Sequence, residues 1–204
     1  MGTPGTPGLL NLPNLPDYHT HTGRCGHAEG SPADYVAAAL AAGLNGLGVA
    51  DHLPLLPDPD PVLSMSLDEL DAYVAEVRDL KALYPDYILL GIEADYRPHT
   101  VDEVRGLLES YPFDFVIGSV HHLGGWGFGD PRQLDQYEGR GLDQVWREYL
   151  ELVGDAAESG LFTILGHIDL LKKFGHRPGR SLARHWDRLV ERIARAGLVV
   201  EINT

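Results

Sequence analysis

The chain has 204 residues, a formal net charge of −14 and 44% hydrophobic residues. That length suits one domain with a substantial core, and no apolar run reaches the roughly 18 residues of a membrane span. The negative field disfavours nonspecific binding to nucleic acid or to an anionic membrane, because it repels phosphate. A single cysteine, Cys25, excludes an intrachain disulfide framework and fits a reducing, cytoplasmic setting.

The Gly/Pro-rich start carries no basic segment followed by an apolar one. Residues 1–15 therefore read as a flexible arm and not a signal peptide, with one domain expected over 16–204. Leu15 to His19 reads as a short first strand. His19 and His21 follow in His-x-His spacing. Residues i and i+2 of an extended strand share a face, so both imidazoles aim at one point. His27 follows a Gly-flanked turn that folds it back toward them. Ser31 as N-cap and Pro32 at the first helical position open a helix to Ala42, with Gly43 as its stop.

Leu47 to Ala50 is a second, buried strand ending at Asp51-His52. After a Pro/Asp-rich loop, Ser66 and Glu69 stand in capping-box spacing. They open a helix whose apolar face is Leu70, Tyr73, Val77 and Leu80. Tyr87 to Ile92 is a third strand, ending at Glu93. A helix is expected over Thr100 to Ser110, and a fourth strand over Phe113 to Val120, ending at His121-His122. The Gly-rich aromatic stretch Gly124 to Gly129 reads as a mobile loop. A helix from Leu142 to Gly160 precedes a fifth strand, Thr163 to Leu165, ending at His167. A helix from Ser181 to Ala196 precedes a sixth strand, Leu198 to Ile202.

Apolar strands alternating with amphipathic helices imply an α/β fold with parallel strands. A barrel would bring all the C-terminal strand ends to one face, where active sites form. An open doubly wound sheet is the alternative, but no Gly-rich dinucleotide fingerprint follows the first strand. His19, His21, His27, His52, Glu93, His121 and His167 all fall at or just after strand ends. Imidazole and carboxylate suit zinc, manganese or iron. Asp17 and Asp51 precede the histidines they would orient. His122 alternates to the opposite face from His121, and His99, His176 and His185 fall in loop or helix settings. Such a site can hydrolyse a phosphate ester or polarise an amide carbonyl. Arg24, Lys172, Lys173, Arg177 and Arg180 near the rim lean toward phosphate, with Arg24, Arg177 and Arg180 as candidate substrate-binding residues.

These residues resemble the polymerase-and-histidinol-phosphatase (PHP) family, in its histidinol-phosphate phosphatase branch. The likeness rests on Asp17-Tyr18-His19-Thr20-His21-Thr22, Cys25-Gly26-His27-Ala28, Ala50-Asp51-His52, Gly91-Ile92-Glu93, Gly118-Ser119-Val120-His121, Gly166-His167-Ile168-Asp169-Leu170, Lys172-Lys173-Phe174-Gly175 and Glu201-Ile202-Asn203-Thr204. It implies a distorted (β/α)7-type barrel holding up to three divalent ions. His19, His21 and Glu93 would hold one, Glu93 would bridge to a second with His121 and His167, and His27 and His52 would hold the third. The implied reaction is hydrolysis of L-histidinol phosphate in histidine biosynthesis by hydroxide held on the metals, with Glu93, His19 and His21 as catalytic groups. The family pattern continues to a late Asp-x-His, and no Asp-x-His follows His167 here. The expectation is a C-terminally incomplete domain, without the last strand and helix. Such a domain would hold fewer ions and expose a sheet edge that invites self-association. Another phosphorylated substrate, or a metal-binding module with impaired catalysis, are the alternatives.

Overall fold

The computed structural model of the chain describes residues 15–203. The arm expected over 1–15 lies outside the described residues, apart from Leu15. Strand and helix alternate in the expected order. In chain order the elements are α1 (Pro32–Ala42), β1 (Leu47–Val49), α2 (Leu70–Leu83), β2 (Ile88–Asp95), α3 (Val101–Ser110), β3 (Phe115–Ser119), β4 (His122–Leu123), β5 (Trp126–Gly127), α4 (Leu142–Glu158), β6 (Ile164–Leu165), α5 (Ala183–Ala196) and β7 (Val199–Val200). One parallel sheet runs β1-β2-β3-β6-β7, with Leu47 beside Ile88, Gly91 beside Phe115, Ile117 beside Ile164 and Ile164 beside Val199.

The helix starts follow from local chemistry. The Ser31 hydroxyl accepts the Asp34 N–H at 3.3 Å, and the Asp34 carboxylate accepts the Ser31 N–H at 2.8 Å. This reciprocal cap satisfies two donors that the first turn leaves orphaned. Gly43 ends α1 in the left-handed region at φ 74°, which costs a residue without Cβ nothing. On α2, Leu70, Tyr73 and Val77 are buried as the periodicity predicts, with Val74 beside them. The Tyr73 hydroxyl sits 2.8 and 2.7 Å from the carbonyls of Val49 and Gly91, tying α2 to the end of β1 and the middle of β2.

The first predicted strand is a correction. Only Asp17 bridges to Leu47. Asp17 N–H donates to Gly46 O at 3.1 Å and Gly48 N–H to Asp17 O at 2.7 Å, as in a parallel ladder. The ladder then breaks. The Asp17 carboxylate accepts the His19 N–H (3.1 Å), the Thr20 hydroxyl donates to the Gly48 carbonyl (2.8 Å), and the backbone resumes one residue on, where the Ala50 N–H donates to Thr20 O at 3.1 Å. Side chains thus replace the next backbone rung. The stretch at Gly124 to Gly129 is likewise not a bare loop. β4 and β5 pair as an antiparallel hairpin, and Trp126 and Phe128 are buried.

The two faces of the sheet differ. Leu47, Val49, Ile88, Leu90, Ile92 and Leu165 point into the main core with the helices. Ala50, Phe115 and Ile117 form a second, small cluster with Leu89 and Ile164. Gly91 is required there, since a Cβ would stand 2.2 Å from the Phe115 ring. The sheet curls over this inner cluster. Tyr18, next to β1, reaches the Phe115 ring at 5.6 Å, and a Cβ on Gly166, after β6, would meet the His19 ring at 3.5 Å. This is the α/β, distorted-barrel geometry expected. Among the described residues no backbone pairing joins β7 to the Leu15–Thr20 segment. The His19 and Glu201 side chains span that seam at 2.6 Å.

Candidate metal centre

The curl brings the strand ends to one rim. Glu93 stands on β2, His52 two residues past Ala50, His121 past β3 and His167 past β6. Next to β1 come His19 and His21. A short 3-10 turn (Gly23–Cys25) and Gly26, at φ 67°, then bring His27 back. A Cβ on Gly26 would stand 2.4 Å from the Pro61 carbonyl, so only glycine permits that return.

Glu93 is the centre. Its buried Oε2 lies 3.1 Å from His19 Nε2, 3.1 Å from His21 Nε2 and 3.0 Å from His52 Nδ1. Its Oε1 lies 3.2 Å from His167 Nε2 and 3.6 Å from His121 Nε2. Among the described residues neither oxygen has a hydrogen-bond partner, although the side chain is buried. An unsatisfied buried carboxylate is costly. Donors about 2.0–2.2 Å from one cation, at tetrahedral or octahedral angles, stand roughly 2.8–3.6 Å apart, which matches these separations. Four sets among the described residues have donor atoms within 4.8 Å of one another: His21, His27 and His52; His19, Glu93 and His167; His52, Glu93 and His121; and, behind the rim, His21, Cys25 and Asp51. All seven expected ligands fall in these sets. The grouping differs from the implied one: His21 joins His27 and His52, on whose ring it stacks at 4.4 Å, His167 joins His19 and Glu93, and His52 also joins Glu93 and His121. The donor set fits divalent ions.

Electrostatics agree. Burial pushes the Glu93 carboxyl up, but His52 and His19 outweigh it and hold it well below the usual carboxylate range. Burial pulls the His19 imidazole down, but Glu93 and Glu201 outweigh that and push it up to about 10. Two carboxylates on one imidazole call for positive charge between them. His52 is pulled well below its ordinary value by burial, and by His21, His121 and His27 around it.

The groups behind the rim were only partly anticipated. Asp51 is fully buried but touches no imidazole. It accepts the Thr22 N–H at 2.6 Å, the Thr22 hydroxyl at 2.7 Å and the Cys25 thiol at 3.0 Å, while Cys25 Sγ accepts the His52 N–H at 3.0 Å. It fixes the backbone that carries His21 and His52. Exposed Asp17 bends its own segment and also touches no ring. Two carboxylates not singled out do touch rings. Asp95 accepts the His121 N–H at 2.9 Å, faces His121 Nδ1 at 3.3 Å and binds His122 Nδ1 at 2.7 Å. Glu201 holds His19 Nδ1. Asp95 follows Glu93 by two residues on one strand, so period-two alternation puts both on the inner face. His122 does not turn away as expected. β3 has ended at Ser119, the alternation lapses, and His122 lines the cavity.

That cavity has a volume of about 550 Å³, with the histidine cluster and Glu93 on its floor and Leu55, Leu63, Asp130, Asp169, Lys172 and Lys173 among its walls. Arg24, Arg177 and Arg180 do not line it. Arg24 pairs with Glu76 at 2.6 Å, the Arg180 side chain is 84% exposed, and Arg177 is exposed. The cations at the cavity are the lysines, and Lys173 Nζ donates to Gly129 O at 3.0 Å across its edge. His176 stacks on Tyr137 at 3.6 Å, a packing contact.

The family model described as "PHP domain" matches residues 17–204. The chain belongs to the PHP domain family. A Deinococcus radiodurans protein named "Probable histidinol-phosphatase" is 43% identical over 191 residues, covering 92% of this PHP chain and 72% of that protein. A Lactococcus lactis protein named "Histidinol-phosphatase" is 28% identical over 202 residues, covering 92% and 71%. The crystal structure of histidinol phosphate phosphatase from Lactococcus lactis, complexed with zinc, L-histidinol and phosphate, superposes with a TM-score of 0.75 at 26% identity, over 93% of this chain and 73% of that one.

Proposed function

We propose that this PHP domain is a metal-dependent phosphomonoesterase that hydrolyses L-histidinol phosphate to L-histidinol and phosphate. The observation that carries the reading is Glu93, a buried carboxylate without hydrogen bonds, whose two oxygens are shared out among five imidazoles. His19, His21, His27, His52, Glu93, His121 and His167 would hold zinc, manganese or iron. Such ions lower the pKa of bound water, orient a phosphoryl group and offset the charge that develops on its oxygens. The names of the relatives, and the zinc, L-histidinol and phosphate in one of them, support the substrate and the metal class.

The chain's own groups do the rest. Glu93, with His19 and His21 both 3.1 Å from its Oε2, would hold the ions at the cavity floor. Lys172, paired with Asp169, and Lys173, bonded to the neutral Gly129 carbonyl, both line the cavity of a chain whose overall charge is −14. Lys173 gives a phosphate ester a local attraction that the global field denies it. Leu55 and Leu63 supply apolar wall, while Asp130 is held by Arg132 and Asp169 by Lys172. A cytoplasmic setting suits the buried, unpaired Cys25. No helix among the described residues is long and apolar enough to cross a membrane. β7 ends the sheet with Val199 61% and Ile202 93% exposed, and self-association through that edge is part of this reading.

The test is phosphate release from L-histidinol phosphate with zinc, manganese or iron supplied singly. Release that chelator stops and metal restores is the expected result. No release with any of the three overturns the reading. Equal kcat/KM for simple alkyl phosphates would leave the phosphatase and remove the named substrate.

A further inference from the structure

Glu201 stands one residue past β7, 182 positions from His19 in sequence, yet the two side chains meet. Its backbone N–H donates to Leu165 O at 3.1 Å, which fixes its place beside β6. Both carboxylate oxygens are engaged. Oε2 lies 2.6 Å from His19 Nδ1, and Oε1 accepts the His167 N–H at 2.7 Å and the Asn203 amide at 2.9 Å. An ionised carboxylate only accepts. His19 Nδ1 must therefore carry a proton, so the nitrogen that can offer a lone pair to a metal ion is Nε2, the atom 3.1 Å from Glu93 Oε2. The same carboxylate seats the backbone of His167, whose Nε2 faces the other Glu93 oxygen at 3.2 Å. One side chain thus orients two of the three donors in the His19, Glu93 and His167 set.

We propose that Glu201 is a positioning residue, which sets the tautomer of His19 and the seat of His167 so that both present Nε2 to a divalent ion beside Glu93. This rests on the metal reading above and names a residue that it does not use. Carboxylates behind a ligating imidazole fix its orientation and raise its basicity.

Glu201→Gln separates this role from simple packing. The amide keeps the shape but offers one acceptor and one donor where Glu201 offers two acceptors. Its NH2 group must face either the His167 N–H or His19. Facing His19, it demands the Nδ1 lone pair and moves the proton to Nε2, the wrong atom for a ligand. Glu201→Ala leaves space in which water can accept from both. The expected order of zinc affinity, read by competition with a chromophoric chelator, is wild type above Glu201→Ala above Glu201→Gln, with the Gln variant about ten- to a hundredfold weaker than wild type. A packing role predicts the reverse, with Gln near wild type and Ala weakest, and that order overturns the proposal. The wild-type chain gives an independent reading that needs no variant. In histidine-15N-labelled, metal-free protein, His19 should show Nδ1 protonated, and Nε2–H alone would overturn the assignment. If the wild type binds no zinc, the metal reading falls with this one. If it binds zinc and Glu201→Gln binds it equally, only the role of Glu201 falls.

Discussion

At the scale of single residues, the centre turns on one buried carboxylate among imidazoles that crowd one another. Glu93→Gln keeps the volume of the side chain but removes the charge that the five facing nitrogens share. Zinc content should fall by at least one ion per chain, measured by atomic absorption, and kcat by about a hundredfold or more. Unchanged zinc content would show that Glu93 is not a ligand. The lysines permit a second contrast. Lys173→Met removes a cation at the cavity and should raise KM about tenfold or more, since hydrogen bonds to charged groups are worth about 1.5–3 kcal/mol. Arg180→Met, on an exposed side chain outside the cavity, should leave KM within error, and the reverse pattern would restore the arginines as substrate contacts. The convergence of the seven candidate ligands was legible because residue type and strand-end position coincide, and a barrel collects strand ends. The arginines stand away from the cavity because nearness in sequence says nothing of direction, and Arg24 finds Glu76 across the fold. Glu201 was hidden for a related reason. Its partner is reached only when the sheet curls, which no local pattern encodes.

Elements were readable where their ends carry their own chemistry. Ser31, Pro32 and Gly43 bracket α1 as predicted, and the box at Ser66 and Glu69 leads into α2. The first strand was misread because a side-chain hydroxyl and carboxylate can take over a ladder rung, and the apolar pattern does not report that. The caps make a pH prediction. The Ser31 N–H and hydroxyl bonded to Asp34 hold its carboxyl below its ordinary value, and the same contacts from Ser66 lower Glu69. A lowered folded-state pKa means that the native state releases the proton more readily than the unfolded chain. The stabilisation is then fully present above the unfolded value, near 4, and is lost as pH falls through the lower folded value. Ser31→Ala should cost about 1 kcal/mol at pH 7, or roughly 2–4 °C in Tm for a domain of this size. The difference in Tm from wild type should shrink as pH drops from 5 toward 2.5. A constant difference across that range would mean that the Asp34 charge plays no part in the cap.

For the whole molecule, the decisive feature is the side of the curl that backbone pairing does not close. β7 is the last strand in the sheet order, and Val199, Val200 and Ile202 are 61%, 37% and 93% exposed. Leu15 and Tyr18, across the seam, are 51% and 36% exposed. A strand edge with apolar side chains and no charged guard is a template for another strand. An isologous dimer would pair two β7 edges antiparallel about a twofold axis. Charge opposes this, because each copy carries −14. Screening removes that repulsion, since the Debye length falls from about 10 Å at 0.1 M salt to about 3 Å at 1 M. Sedimentation velocity should therefore show a dimer whose share rises with protein concentration and also with salt. Val200→Lys, which places a charge on the edge itself, should return the chain to monomer at every salt concentration while zinc binding persists. Dimer that weakens as salt rises would point to an ion-paired interface elsewhere on the surface. A chain that stays monomeric in 1 M salt at a hundred micromolar would show that the His19 and Glu201 contact, with the exposed apolar groups beside it, is enough to keep this edge from pairing.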